Sequence, residues 1–214
     1  GNKVAIKEFT EDYLLAEKVG FYLHREIAAL STLRHEYLAN FIGATKTNPI
    51  WMISEYVENG DLEKAITTNP DCLTDTVKLK IMIGVASALS KMHKNNIIHR
   101  DLKPSNILIN SNYEPVICDL GSSRQLLKNP KGGGNTALVG TEIFMPPEMF
   151  NKNFHSLYGS SVDIYAFGII MYQLISLVKT QDVYKFNMTD ELKKYNYSYL
   201  IHLRKSKNII PKVN

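Results

Sequence analysis

Residues 164–178 form the longest stretch of the chain without a charged side chain, and nearly all of them are apolar. A helix that crosses a bilayer needs about 18–20 such residues, so this stretch is too short to span one. Extended back to Ser161, it predicts a helix over residues 161–178 that is apolar on nearly every face, the pattern of a helix enclosed by other elements. Each Ile, Leu or Met it buries stabilises the fold by roughly 1.5–3 kcal/mol. Enclosure demands a chain of adequate size. The 214 residues, 44% hydrophobic and 21% charged, suffice for one sizeable core or two small ones, and they exclude disorder and a coiled coil.

Ahead of that helix the periodicity changes several times. Val4-Ala5-Ile6-Lys7 is a short β-prone run and predicts a strand. Residues 11–33 turn helical, with Phe21, Ile27 and Leu30 at helical spacing; residues 38–42 return to strand character. Residues 51–57 predict another strand, stopped by Asn59-Gly60. After Asp71, Thr74 or Asp75 can cap a long helix whose apolar stripe is Val77, Ile81, Val85, Ala88 and Met92. Ile97-Ile98, Ile107-Leu108-Ile109 and Val116-Ile117-Cys118 predict short strands that present loops, with a turn over residues 112–115. Residues 120–148 are irregular, and so long a loop inside a compact domain is usually functional.

Cys72 and Cys118 stand far apart, with no C-x-x-C and no metal-ligand spacing to the histidines, which argues against a disulfide framework or a zinc site and for a reducing compartment. The net charge of +4 comes from the end of the chain: residues 179–214 hold 8 Lys/Arg against 3 Asp/Glu, and the remainder 17 against 18. Those dispersed cations lack the interleaved aromatic pattern of a nucleic-acid or acidic-membrane binder. The first residues carry neither an initiating Met nor a charged region before an apolar run, which predicts a fragment.

The chemistry-bearing string is His99-Arg100-Asp101-Leu102-Lys103-Pro104-Ser105-Asn106, an acid, a cation and an amide in one turn-rich loop, with Asp119-Leu120-Gly121 ending the next strand. With Val4-Ala5-Ile6-Lys7 before them, with Glu26 in the first helical segment, with Gly140-Thr141 and Met145-Pro146-Pro147-Glu148 closing the long loop, and with Asp163 in the buried helix, these resemble a eukaryotic protein kinase in chain order over nearly the whole length. Residues 33–44 and 55–62 look most like the tyrosine-kinase-like group of serine/threonine kinases. Lys103 within the catalytic string and Gly140-Thr141 favour serine/threonine over tyrosine.

The resemblance implies an α+β, bilobal protein-kinase fold with a small β-rich N-lobe carrying one helix and a larger, mainly helical C-lobe. Residues 1–54 would be a partial N-lobe lacking the glycine-rich loop, residues 55–60 the hinge, and residues 61–214 a partial C-lobe, so that the fold is truncated at both ends. Gly132-Gly133-Gly134 does not replace the missing loop, because no strand precedes it and neither G-x-G-x-x-G nor G-K-[ST] is present. The implied reaction is ATP-dependent phosphorylation of protein Ser/Thr hydroxyls in the cytoplasm, with ATP and Mg2+ as cofactors and a protein as substrate. The alternative is a kinase-fold scaffold without turnover.

The resemblance also implies roles. Lys7 would hold the α- and β-phosphates and Glu26 would fix Lys7 by an ion pair. Asn106 and Asp119 would ligate magnesium through oxygen. Asp101 would accept or orient the substrate hydroxyl proton, and Lys103 would neutralise charge on the transferring group. Ala5, Lys7, Ser54 as gatekeeper, hinge residues Glu55 and Val57, Asp61, Leu108 and Asp119 would line the ATP site. His99 would sit in a stacked apolar spine with Leu30, Phe41 and Leu120. Ser122, Ser123 and Thr136 would be activation-segment phosphosites, Thr136 foremost, whereas Thr141 would turn its hydroxyl to Asp101 and Lys103.

Overall fold

The computed structural model describes residues 3–9, 27, 31, 33–45, 49–120, 123–125, 141–146, 149 and 159–183. Three strands, β1 (Val4–Phe9), β2 (Phe41–Ala44) and β3 (Ile50–Glu55), form an antiparallel sheet in the order β1-β3-β2. Beyond it lie α1 (Leu62–Thr68), α2 (Asp75–Lys94), the short strands β4 (Ile97–Ile98), β5 (Ile107–Ile109), β6 (Pro115–Ile117) and β7 (Arg124–Gln125), and α3 (Ser161–Ser176). The result is a small β-sheet lobe joined to a larger, mainly helical lobe.

The helical lobe holds the core. On α2, Ile81, Val85, Ala88 and Met92 are buried as their spacing requires, and the Thr74 side chain caps the helix by accepting from the Val77 N–H. Leu62, Leu102, Ile107, Ile117, Ile143 and Ile170 join them in one cluster. Gly84 is required where α2 meets the β6 turn: a Cβ there would lie 2.4 Å from Pro115 Cγ. The helix read from residues 161–178 ends at Ser176, because Leu177 turns left-handed at φ 53° while Gln173 Nε2 donates to the Val178 carbonyl at 3.3 Å.

Two expectations shift. Residues 38–40 are not part of β2. Leu38 instead makes a parallel bridge to Ile117, with the Ala39 N–H on the Ile117 carbonyl at 2.8 Å and the Ile117 N–H on the Tyr37 carbonyl at 2.9 Å. Leu38 is therefore buried in the helical lobe's core and pins the sheet lobe to it. Helix α1 has no apolar periodicity long enough to announce it; its signal is Asp61, whose side chain accepts from the Lys64 N–H at 2.8 Å. The strand expected over residues 51–57 ends at Glu55, and the residues that follow turn away to pair with β5.

Candidate active site

Strand pairing sets the upper wall of the site. Ala5 and Lys7 are two apart in β1 and so share one face; Ser54 of β3 sits opposite Ala5, and Phe41 opposite Ser54. Past β3, the Glu55 N–H donates to the Asn40 carbonyl and the Glu55 carboxylate accepts from the Asn40 N–H, both at 3.0 Å. That side chain is thereby turned away from the cleft. The backbone N–H and C=O of buried Val57 make no hydrogen bond among the described residues. The Asn59 N–H then donates to the Ile109 carbonyl at 3.1 Å and the Ile109 N–H to the Gly60 carbonyl at 2.8 Å. This ladder ends in a bridge that places Asp61 beside Leu108.

On the lower wall, strand β5 and strand β6 pair antiparallel and deliver two loops to the same place. The loop before β5 carries Asp101, Lys103 and Asn106. Lys103 Nζ lies 2.8 Å from Asp101 Oδ2 and 2.9 Å from Thr141 Oγ1. Asp101 Oδ1 accepts from the Thr141 N–H at 2.7 Å and from its hydroxyl at 2.9 Å. Asn106 Nδ2 donates to the Asp101 carbonyl at 2.7 Å, which fixes the amide so that its oxygen faces the other way. The loop after β6 carries Asp119, whose Oδ1 is 2.6 Å from Lys7 Nζ.

The two ion pairs differ in character. Lys103 and Asp101 are 26% and 14% exposed, held in a half-buried network. Lys7 and Asp119 are 44% and 43% exposed, and pairs of that kind contribute little net stability, so either partner can exchange the other for a phosphate or a cation at small cost. Asp119 stands at φ 57° and Arg100 at φ 71°, left-handed backbone for residues that have a Cβ. Such conformations cost roughly 1–3 kcal/mol and persist where the surroundings over-determine them.

Those surroundings centre on buried His99 and Asp163. His99 Nε2 bonds the Cys118 carbonyl at 3.1 Å, and His99 Nδ1 accepts from the Asp101 N–H at 3.3 Å, joining the two loops. Leu120 is buried and Phe41 half-buried; Leu30 lies outside the described residues. The Asp163 carboxylate accepts from the His99 and Arg100 N–H groups, each at 2.9 Å, and from His93 Nε2 at 2.8 Å. His93 was not identified from the sequence; a lone histidine near a helix end carries no signal by itself.

Cys118 precedes Asp119. Burial first, and then the neighbouring Asp119 carboxylate, push its thiol up to about 12, against a smaller opposing pull from Lys7.

Of the other expected site residues, Glu26, Ser122 and Thr136 lie outside the described residues. Ser123 lies inside them, its N–H on the Leu120 carbonyl at 2.8 Å. The Asp61 carboxylate spends one oxygen on the α1 cap.

The donor set suits a hard divalent cation and a polyphosphate. Asp119 and Asn106 offer oxygen, Lys7 offers a cation across from them, and no cluster of three or more His, Cys, Asp or Glu side chains that could cage a metal occurs among the described residues. Magnesium takes few protein ligands and keeps water or phosphate for the rest. Among the described residues no helix is long and apolar enough to cross a membrane.

Comparison with known proteins agrees with this arrangement. The family model described as "Protein kinase domain" matches residues 1–211. The chain is 29% identical to a probable serine/threonine-protein kinase, kinY of Dictyostelium discoideum, over 84% of its own length and 34% of that protein. It is 36% identical to Aurora/IPL1-related protein kinase 2 of Caenorhabditis briggsae, over 80% of its own length and 54% of that protein. It thus spans about a third to a half of these two relatives. A chain of the yeast RNA Pol II CTD kinase CTDK-1 complex superposes with a TM-score of 0.71 at 24% identity, covering 90% of this chain and 59% of that one, which is a likeness of fold. With its two lobes, its paired loops and a family match over almost its entire length, the chain belongs to the protein kinase family.

Proposed function

We propose that the protein transfers the γ-phosphoryl group of ATP to serine or threonine hydroxyls of a protein substrate. The observation that carries this reading is the convergence of Asp101, Lys103, Asn106 and Thr141 in one hydrogen-bonded cluster, tied through the Asn106 carbonyl to the N–H of Cys118 at 3.0 Å, next to the Asp119 that pairs with Lys7. Asp101 orients the substrate hydroxyl and takes its proton as the bond to phosphorus forms. Lys103, anchored by Asp101 and Thr141, offsets charge on the transferring group. Lys7 holds the α- and β-phosphates; Glu26 is its expected ion-pair partner. Asp119 and Asn106 would hold magnesium, which when bound supplies charge neutralisation at the phosphates. Ala5, Ser54, Val57, Asp61 and Leu108 line the nucleoside side, with the backbone groups of Val57 and the Glu55 carbonyl directed at adenine.

The domain division follows the same reading: residues 1–54 serve as N-lobe, 55–60 as hinge and 61–214 as C-lobe. The strings over residues 33–44 and 55–62 support placement in the tyrosine-kinase-like group, and the reduced cysteines support action in the cytoplasm. The protein's own substrate lies among proteins presenting a Ser or Thr acceptor. The testing experiment measures magnesium-dependent ATP binding together with phosphate incorporation by the full-length protein. The expected result is both, with label on phosphoserine or phosphothreonine. Nucleotide binding without any incorporation would refute transferase activity.

A further inference from the structure

We infer that the recess between residues 33–40 and the end of β3 is a binding site for a small zwitterion, a molecule carrying one ammonium and one carboxylate on an apolar body, as a hydrophobic amino acid does. The recess holds about 500 Å³, within the roughly 300–1,000 Å³ of ordinary ligand sites. Its apolar part is Leu33 and Leu38, both buried. Arg34, Glu36 and Asn40 stand around it exposed, and half-buried Glu55 closes one side. Because the Glu55 carboxylate turns away from the cleft to the Asn40 N–H, the site stands apart from the phosphoryl-transfer reading.

The chemistry of the ligand follows from which polar groups the fold already uses. His35, which also borders the recess, is committed at both nitrogens: Nδ1 accepts from the Tyr37 N–H, and Nε2 lies 3.3 Å from Ser87 Oγ. The backbone of Asn40 is committed too, its N–H and carbonyl both to Glu55 at 3.0 Å. The Arg34 guanidinium and the Glu36 carboxylate make no hydrogen bond or ion pair among the described residues, although one residue separates them. Glu55 places one carboxylate oxygen on Asn40 and leaves the other to the recess. An anion alone meets Glu36 and Glu55 as like charges, and a cation alone meets Arg34; a molecule carrying both charges complements the set. Each exposed contact is weak by itself, so the two charges must act together. An ammonium drawn to Glu55 competes with the Asn40 N–H, which gives occupancy a local signature.

L-Phenylalanine, phenethylamine and 3-phenylpropionate share one ring and differ in charge. Equilibrium dialysis of each against the full-length protein, with magnesium and a non-hydrolysable ATP analogue present to fill the cleft, separates the contributions. Phenylalanine is expected to bind with Kd near 1 mM, the range open to a ligand of about a dozen non-hydrogen atoms, and each singly charged analogue about 3- to 5-fold more weakly. Arg34→Gln and Glu55→Gln each remove a charge and keep a hydrogen-bonding head, at positions outside the core, and each should weaken phenylalanine by about the same factor. Amide hydrogen exchange at Asn40 should quicken about 3-fold or more at saturation. Absence of saturable phenylalanine binding below about 20 mM, equal binding of the three compounds, binding indifferent to either substitution, or Asn40 exchange unmoved at saturation would overturn the site.

Discussion

Thr141 and Asp101 are joined twice through one oxygen: Asp101 Oδ1 accepts both the backbone N–H of Thr141, at 2.7 Å, and its hydroxyl, at 2.9 Å. The same hydroxyl accepts from Lys103 Nζ at 2.9 Å, so the acid, the cation and the far end of the long loop form a closed set. Because the hydroxyl is occupied on both sides, Thr141 is a brace and a poor target for phosphorylation.

Removing the hydroxyl tests the brace. Thr141→Val keeps the backbone N–H and the β-branched shape but leaves Lys103 with one partner. The expected loss in kcat is about 10- to 100-fold, in line with the net worth of a charge-assisted hydrogen bond, about 1.5–3 kcal/mol. Thr141→Ser should recover most of it. Steady-state kinetics of the two variants decide the matter; identical losses in both would remove the hydroxyl from the account.

The adenine edge makes a second test. Ser54 lies opposite Ala5 on the face that carries Lys7; under the proposed reading, in which this face borders adenine, a larger side chain there would narrow the space behind it. Ser54→Met is expected to weaken ligands that reach behind adenine more than it weakens ATP. Parallel losses in calorimetric affinity for both would place Ser54 elsewhere.

Cys118 yields a pH dependence. Its thiol is raised to about 12 by burial and then by Asp119, above the usual thiol range. The unfolded chain therefore ionises this thiol first. The stabilisation it gives is complete below the unfolded value and is lost as pH rises toward about 12. A small untethered alkylating reagent at pH 8 should modify Cys72 before Cys118, although burial raises Cys72 as well, because Cys72 is the less buried of the two. Faster labelling of Cys118 in the folded protein, read by mass spectrometry of tryptic peptides, would contradict this environment.

Packing supplies a fourth test. At Gly84 an added Cβ would lie 2.4 Å from Pro115 Cγ and 3.2 Å from Tyr37 Cδ1. Gly84→Val is expected to destabilise by about 1–3 kcal/mol, the usual cost of overpacking. Denaturant unfolding measures it, and an unchanged midpoint would mean that α2 does not approach the β6 turn so closely.

Much of this was legible in advance, for unequal reasons. The stripe from Ile81 to Met92 was readable because periodicity reports directly which faces are buried; the helix expected from residue 161 onward was readable too, but it is enclosed only in part, with Val162, Ala166, Ile169, Ile170 and Leu174 buried and Ile164 and Ile175 exposed. Lys7, Asp101, Lys103, Asn106 and Asp119 stood out in the sequence through their resemblance to protein-kinase motifs, and the structure joins Lys103 and Asn106 to Asp101 and Lys7 to Asp119. What the sequence could not carry was pairing across distance. Leu38 reads as the start of a strand, and only its bridge to Ile117, 79 positions on, assigns it to the other lobe. His93 is 70 positions from Asp163, and no local pattern marks their contact. Helix α1 is only 7 residues long, too short for a stripe to declare itself.

The account rests on Asp101 as the group that orients the acceptor hydroxyl. The most direct measurement is transfer of labelled γ-phosphate to a protein substrate by the full-length protein and by its Asp101→Asn variant, with magnesium-nucleotide affinity measured in parallel. Transfer is expected to fall by roughly 10²–10⁴-fold while nucleotide affinity stays near that of the unmodified protein. Near-normal transfer in the variant would contradict the account.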